Sequence, residues 1–373
     1  MKKIAVLYSW TKNYWWIYTF FRDIIQHIRK NNKNIQIDIF SVTDLPPGNL
    51  FNNYYLIKIP NIIKNFLFKF NLHILFSSLF IPLFFLKKLK KYDKIIINQE
   101  LAFPTNLLLK NCITIIHWTS IGPAKFWWKK KRYIYSIYYF FLHLNCLLTY
   151  KTSRVIYTVS EYTKNLIKKY NKNIQVCWWG INKNFWKIDK NVKKEDFWFN
   201  KNDFIMIFVG RFDIWKWKEE LVNIMKNINN PNVKLICISK RPKNYQELQK
   251  INIYFKENLS ETDLKKYYSI SDLFIFPTKY EGYWTVIAEA LSIGLPVITT
   301  NTWLGYILQK KYTSKYPSIK ILNILDWYEK YLPLIKDFYK KFIKNKSIEK
   351  YNYNIPEIDI SNALKCWEKI FIE

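Results

Sequence analysis

Short apolar runs recurring between helical stretches constrain this chain more than any other feature. Residues 3–9, 35–42, 54–60, 92–98, 112–117 and 154–160 each carry such a run. They read as strands of a parallel sheet, which is buried on both faces and therefore apolar almost throughout. Residues 15–30 between the first two read as a helix, and 161–170 begin another, capped by Ser160. A charged, Asn-rich stretch without periodicity follows at 182–203, and then the alternation restarts. Strands are expected at 204–209, 233–238, 273–276 and 296–299. Helices are expected at 218–227, at 260–268 behind the cap Ser260, and at 285–293. Strand–helix alternation of this kind argues for α/β architecture with doubly wound sheets. A length of 373 residues suits two such domains. The expected division is 1–181, a linker at 182–203, a second domain over 204–345, and a helical tail at 346–373 that returns to the first domain.

Charge needs care here. Lys and Arg number 59 against 28 Asp and Glu, a formal charge of +31. Lys, Asn, Ile, Tyr and Phe all have codons built from A and T, so an A/T-rich gene loads a chain with them whatever its function. The basic balance therefore says little for nucleic acid. An anionic membrane surface or an acidic substrate accounts for it better, and codon drift remains the competing account. Five cysteines at 112, 146, 177, 237 and 366 form no C-x-x-C pattern. The expectation is a reduced, cytoplasmic chain without a disulfide framework or a zinc site. Two apolar stretches, 66–86 and 133–148, are too short or too interrupted by polar residues to span a bilayer. They read either as core helices of the first domain or as an interfacial face, since Lys129, Lys130, Lys131 and Arg132 directly precede the second.

Three patterns at strand-to-helix junctions of the second domain carry chemistry. Gly210-Arg211 ends a strand, with Lys216 five residues after the arginine. A guanidinium fork and a point charge at the carboxyl edge of a sheet suit a diphosphate. The alternative is a solvated basic loop. Next, Pro277-Thr278 ends a strand and leads through Glu281, Gly282, Tyr283 and Trp284 to a helix starting near Thr285, with Glu289 one turn inside. The helix start offers unpaired N–H groups to an anion, and two carboxylates beside it can accept hydrogen bonds from sugar hydroxyls. Two surface glutamates on a helix are the bland alternative. Third, Gly294-Leu295-Pro296-Val297 is a tight turn into the next strand.

Together these residues resemble the retaining nucleotide-sugar glycosyltransferases of the GT-B fold, specifically glycosyltransferase family 4 (glycosyl transferases group 1). The pattern is carried by Gly210-Arg211, Lys216, Ser271-Asp272, Pro277-Thr278, Glu281, Glu289-Ala290 and Gly294 to Val297. It is specific over about 204–300 and fainter over 154–181, where Val159-Ser160-Glu161 and Gly180-Ile181-Asn182 resemble the segment that closes the first domain. The resemblance implies two Rossmann-like domains facing a cleft and a catalytic set of Glu281, His117, Arg211 and Lys216. Arg211 and Lys216 would hold the donor diphosphate, Glu281 the transferred sugar, Glu289 the ribose, and His117 would face the sugar from the first domain. Trp16, Gly210, Gly282, Tyr283, Trp284 and Thr285 complete the implied donor site. No Asp-x-Asp occurs, so no metal and no cofactor are expected. Implied partners are a nucleotide-diphosphate sugar and a glycan or lipid-linked acceptor of cell-surface polysaccharide synthesis. Peripheral membrane contact is expected separately, from the basic run at 129–132 before the aromatic stretch, and no nucleic acid is expected. A non-enzymatic basic membrane- or polyanion-binding protein is the competing class. An epimerase or phosphorylase on the same fold is another.

The chain departs from the family in one consistent way. Trp stands at 15, 16, 118, 198, 217, 284 and 303, where the family has small residues, mostly Gly. There are 16 Trp and only 7 Gly, against an ordinary glycine content of roughly 7%. UGA encodes glycine in some bacteria and tryptophan in others. One A/T-rich gene read with the wrong one of these codes produces both anomalies. A genuinely Trp-rich chain is the alternative.

Overall fold

A computed structural model describes residues 1–8, 15–31, 34–41, 49–69, 73–98, 102–117, 133–213, 218–278, 285–324 and 326–372. The chain divides into two compact units, Met1–Trp179 with Ser361–Glu373, and Gly180–Ile360.

In the first unit the elements run β1 (Lys2–Leu7), α1 (Trp15–Asn31), β2 (Ile35–Ser41), β3 (Tyr54–Leu56), α2 (Asn61–Lys69), α3 (His73–Leu89), β4 (Lys94–Asn98), α4 (Ala102–Leu108), β5 (Cys112–Ile116), α5 (Tyr133–Thr152), β6 (Ile156–Thr158), α6 (Glu161–Ile167) and β7 (Ile174–Val176). Seven parallel strands pair in the order β3-β2-β1-β4-β5-β6-β7. Every residue of β4 is buried, which is why the sequence there shows no alternation. Period-2 geometry sends successive side chains to opposite faces. One face, with Ala5, Leu7, Ile95 and Ile97, packs against Ile81 and Leu89 of α3. On the same face further along, Ile116 and Ile156 pack on Cys146 and Tyr150 of α5. On α1, Phe20 meets Trp179, His117 and Trp367 at ring distances of 4.7 to 4.9 Å.

The second unit runs β8 (Phe204–Val209), α7 (Lys218–Ile228), β9 (Val233–Ile238), α8 (Tyr245–Gln249), β10 (Ile253–Lys256), α9 (Glu261–Ile270), β11 (Leu273–Phe276), α10 (Thr285–Ile293), β12 (Val297–Thr300), α11 (Leu304–Lys311), β13 (Ile319–Leu322) and α12 (Tyr331–Asn345). Its six strands are parallel too, in the order β10-β9-β8-β11-β12-β13. The final helix, α13 (Ile360–Ile372), falls mostly in the first unit.

Three expectations change. Residues 182–203 pack with the second unit instead of forming a linker. Trp186 is buried and stands edge-on to Tyr268, Asp189 N–H donates to Ser269 Oγ, and Lys194 Nζ donates to Asp272 2.7 Å away. That lysine–carboxylate bond also gives Asp272 a structural job, with a second bond from Ile205 N–H at 2.8 Å. The unit boundary lies instead at Gly180. A Cβ there would collide with the backbone of Asp359 and Ile360, because the outgoing and returning chain segments are hydrogen-bonded side by side. The returning segment of the first unit starts at Ser361, so 346–360 belong with the second. Finally, Cys177 and Cys366 form a disulfide, Cα atoms 6.0 Å apart, so the expectation of unpaired cysteines fails for this pair. A separation of 189 residues hid it, and it exists because α13 packs beside the end of β7. The other three cysteines are free and buried.

Two kinds of tryptophan occur among the described residues. Trp367 is wholly buried inside α13, and its indole N–H donates to Trp178 O at 2.9 Å. Trp198 and Trp303 instead hold φ of 63° and 44°, a region that side chains bearing a Cβ rarely adopt. Trp198 closes a short 3-10 helix in the left-handed conformation, a position where glycine is usual.

Candidate functional site

The order of the second sheet creates the site. β8 is the first strand of the unit. The chain moves from it to β9 on one side and later to β11 on the other, so the topology reverses between β8 and β11. Loops leaving the carboxyl ends of two such strands diverge and open a crevice. Those two loops carry Gly210-Arg211 and Pro277-Thr278. The strands are in direct register, Phe274 opposite Ile207.

Gly210 has φ of +148°, a conformation that glycine tolerates and other residues rarely adopt. It turns the chain off β8 with its open side toward the Phe208 and Phe276 rings. Arg211 follows and is exposed, its Nε 3.4 Å from Asp213 Oδ2. Solvent screens a pair of that kind, so the guanidinium is not committed to a buried partner. Phe212 N–H donates to Ser239 Oγ at 2.9 Å, tying the Arg211 loop to the end of β9. A 430 Å³ cavity lies at this same edge, lined by Ile238, Ser239, Lys240, Glu257 and Asn258.

The loop after β11 is braced from β12. Thr299 Oγ1 donates to Phe276 O at 3.0 Å and Thr300 Oγ1 to Thr278 O at 2.6 Å. These threonines follow the Gly294–Val297 turn, whose own glycine has φ of +91°. That weak sequence signal thereby acquires a purpose, since the turn sets the register that supports the loop.

Glu289 sits on α10 and is buried, as are its helix neighbours Ile287, Ala288, Ala290 and Leu291. Tyr268 of α9 places its hydroxyl 3.0 Å from Glu289 Oε2, and the Thr285 side chain bonds it as well. Burial pushes the carboxyl up to about 7, against the downward pull of those two hydrogen bonds. A carboxylate held at neutrality's edge in an apolar helix is costly to keep. It is ready to accept hydroxyl donors that would stabilise its charge.

His117 stands at the end of β5 in the first unit, buried and edge-on to Phe20 at 4.9 Å. Burial lowers its pKa to about 3, so the imidazole is neutral at physiological pH. Trp16 falls in α1, but its side chain lies outside the described residues, as do Lys216, Glu281, Gly282, Tyr283 and Trp284. Of the expected site, the structure thus places Gly210, Arg211, Thr285 and Glu289 in one unit on the elements flanking a single sheet reversal. Tyr268 was missed. Its signal is slight, an aromatic on the buried side of a helix whose hydroxyl must find a partner.

Comparison with known proteins agrees with this geometry. Residues 189–306 match the family described as glycosyl transferases group 1. An uncharacterized glycosyltransferase of Methanocaldococcus jannaschii is 30% identical over 154 residues, covering 38% of this chain and 36% of its own. The chain spans 27% and 36% of the curated relatives it matches. Among solved structures, WaaG, a glycosyltransferase involved in lipopolysaccharide biosynthesis, superposes with a TM-score of 0.68 at 14% identity, over 99% of both chains. HepE of Anabaena in complex with UDP-glucose gives 0.59 at 13% identity, over 100% of this chain and 96% of its own. The fold is therefore that of the GT-B glycosyltransferases, two parallel-sheet α/β Rossmann-like domains. With the family match over the second sheet, it supports a glycosyltransferase.

Proposed function

We propose that the chain transfers a sugar, with retention of anomeric configuration, from a nucleotide-diphosphate sugar to a glycan or lipid-linked acceptor, as a member of glycosyltransferase family 4. The observation that carries this reading is the sheet reversal itself, with Gly210-Arg211 on one side and the helix bearing Glu289 on the other. Neighbouring structures lend it support, since one of them was solved with UDP-glucose.

In this reading the donor diphosphate lies over the carboxyl ends of β8 and β11. Arg211 and Lys216 neutralise the charge that develops on the leaving diphosphate, aided by the N–H groups at the start of α10. Glu289 accepts hydrogen bonds from the ribose hydroxyls, with Tyr268 orienting it. Glu281 binds hydroxyls of the sugar. His117, the remaining member of the implied catalytic set, is neutral and so would act as a hydrogen-bond partner and not as an acid. No second carboxylate is placed as nucleophile. A front-face displacement fits, in which the bond to the diphosphate breaks as the acceptor oxygen arrives and the leaving phosphate oxygen takes the acceptor proton. Such a role would place the chain in the cytoplasm, where nucleotide sugars serve cell-surface polysaccharide synthesis.

A panel of nucleotide sugars tests this by donor-dependent hydrolysis and thermal stabilisation. One donor class should raise the melting temperature and be hydrolysed slowly, with α-linked donor giving α-linked product. Stabilisation by none of the panel would overturn the reading, and an inverted product would overturn retention.

A further inference from the structure

The first unit has an outward face that donor chemistry does not use. Nineteen large apolar side chains are exposed among the described residues, and fourteen of them sit on α2 to α5. They are not scattered. On α3, Leu79 and Leu83 project four residues apart, Phe84 stands beside them, and the row ends in exposed Lys87 and Lys88. On α5, Ile137, Phe141, Leu144 and Leu148 make the same row and end in exposed Lys151. Spacings of three and four residues line one side of a helix. The opposite side of each helix already covers the sheet, through Ile81 and Leu89 on α3 and Cys146 and Tyr150 on α5. Both helices are thus apolar twice over, inward and outward. Between them α4 adds exposed Leu107 and Leu108, followed by exposed Lys110.

All three helices cross back over the sheet to start the next strand, so their carboxyl ends share one edge. The lysines therefore form a rim along an apolar layer. Acidic residues are scarce here. Over 45–153 there are fifteen basic residues and two acidic ones, whereas the whole chain has 59 and 28. The basic share is close to that of the whole chain, so the net positive charge of this stretch comes from missing carboxylates, the groups that anionic headgroups would repel.

We infer that the α3–α4–α5 face is a docking surface for an anionic lipid bilayer, with the apolar rows in the interface and the lysine rim against the headgroups. Long lysine stems can lie along apolar surface while the ammonium reaches a phosphate. No helix among the described residues is long and apolar enough to cross a membrane, so the face lies on the bilayer. A polyanion such as nucleic acid would use the lysines and gain nothing from the leucines and phenylalanines. A second copy would bring two lysine rims together. The inference is independent of the proposed reaction.

Vesicle cosedimentation tests it, using the full chain with phosphatidylcholine alone or mixed with phosphatidylglycerol. The chain should sediment with the anionic vesicles and not with neutral ones. Leu83→Glu with Phe141→Glu should weaken that binding at least tenfold at both low and high salt. Replacing Lys87, Lys88 and Lys151 by Gln should cost about fivefold per lysine at low salt and little at high salt. Ile343→Glu, on an exposed site of the second unit, should change nothing. Should the double variant fold poorly, a nitroxide at Leu144→Cys supplies the second reading. Its accessibility to oxygen over an aqueous nickel reagent should rise on adding anionic vesicles. Three results would overturn the inference. The intact chain could stay in solution, or the Glu variants could bind as well as the parent. Sedimentation equilibrium could instead reveal a dimer, without vesicle binding, that the Glu variants dissolve, which would assign the face to a second copy.

Discussion

The two units solve the same packing problem and then diverge. Each buries a parallel sheet under crossover helices, and each opens with a strand whose neighbours lie on both sides. In the second unit the surplus chemistry sits at the sheet edge, where Gly210, Arg211 and the helix bearing Glu289 adjoin one reversal. In the first unit it sits on the outside of the helices, as apolar rows ending in lysine. Backbone physics dictates the shared part, because parallel strands need crossovers. What distinguishes the units is the cargo of loops in one and of outward helix faces in the other.

Four changes would break or sharpen that contrast. The largest effect is expected in the first unit. Trp367→Gly removes a wholly buried indole from a helix interior, and should destabilise the unit by roughly 4 kcal/mol, readable by denaturant unfolding. A loss under about 1 kcal/mol would mean that Trp367 is not a core residue.

The next concerns the second unit and pH. Glu289 has a folded pKa of about 7, above its ordinary value, so folding favours the protonated form. Its contribution is fully present below about pH 4.5 and is lost as pH rises through 7, a swing of up to roughly 3 kcal/mol. Glu289→Gln stays neutral, and should flatten this part of the stability profile. The variant should melt above the parent at pH 8 and close to it at pH 5. Parallel melting profiles would show that burial does not govern this carboxyl.

Arg211→Ala should lower turnover about 100-fold, as loss of a charge preorganised at a leaving group does. The Lys87, Lys88 and Lys151 replacements should leave turnover on a water-soluble acceptor unchanged. Equal losses from both sets would erase the distinction between edge and face.

The smallest effect is a gain. Trp198→Gly relieves a left-handed backbone worth roughly 1 kcal/mol, but gives up a Lys256 ammonium 5.0 Å above the indole, worth about half of that at an exposed site. A net stabilisation of about 0.5 kcal/mol should appear in denaturant midpoints. The codons belong to the same comparison. Trp198 and Trp303 should be UGA and Trp367 UGG, and UGG at 198 and 303 would end the misread-code account.

Much of this was legible beforehand, for physical reasons that also explain the gaps. Strands buried on both faces advertise themselves as apolar runs, and β8, β9 and β11 start and end where the runs do. β7 has only three residues, and β10, though as long as β11, alternates buried and half-buried positions, so neither shows a continuous apolar run. Residues 66–86 read as one apolar block because a helix that is apolar on two sides has no moment to reveal its ends. The structure divides the region into α2 and α3. Exposure of the outward row was legible only as one of two alternatives, core helix or interfacial face, since sequence does not say which apolar face lacks a neighbour. The Cys177–Cys366 pair was invisible because only tertiary packing brings α13 to β7. At the site, Gly210-Arg211 and Glu289 were found through motif spacing, whereas Tyr268 contacts Glu289 from a different helix.

The most direct test of the central claim is calorimetric titration of a nucleoside diphosphate into the parent chain and into Arg211→Ala. The account predicts binding to the parent that weakens at least tenfold in the variant and also weakens with added salt. Equal affinity in both, or no affinity in either, would contradict a diphosphate site at the carboxyl edge of the second sheet.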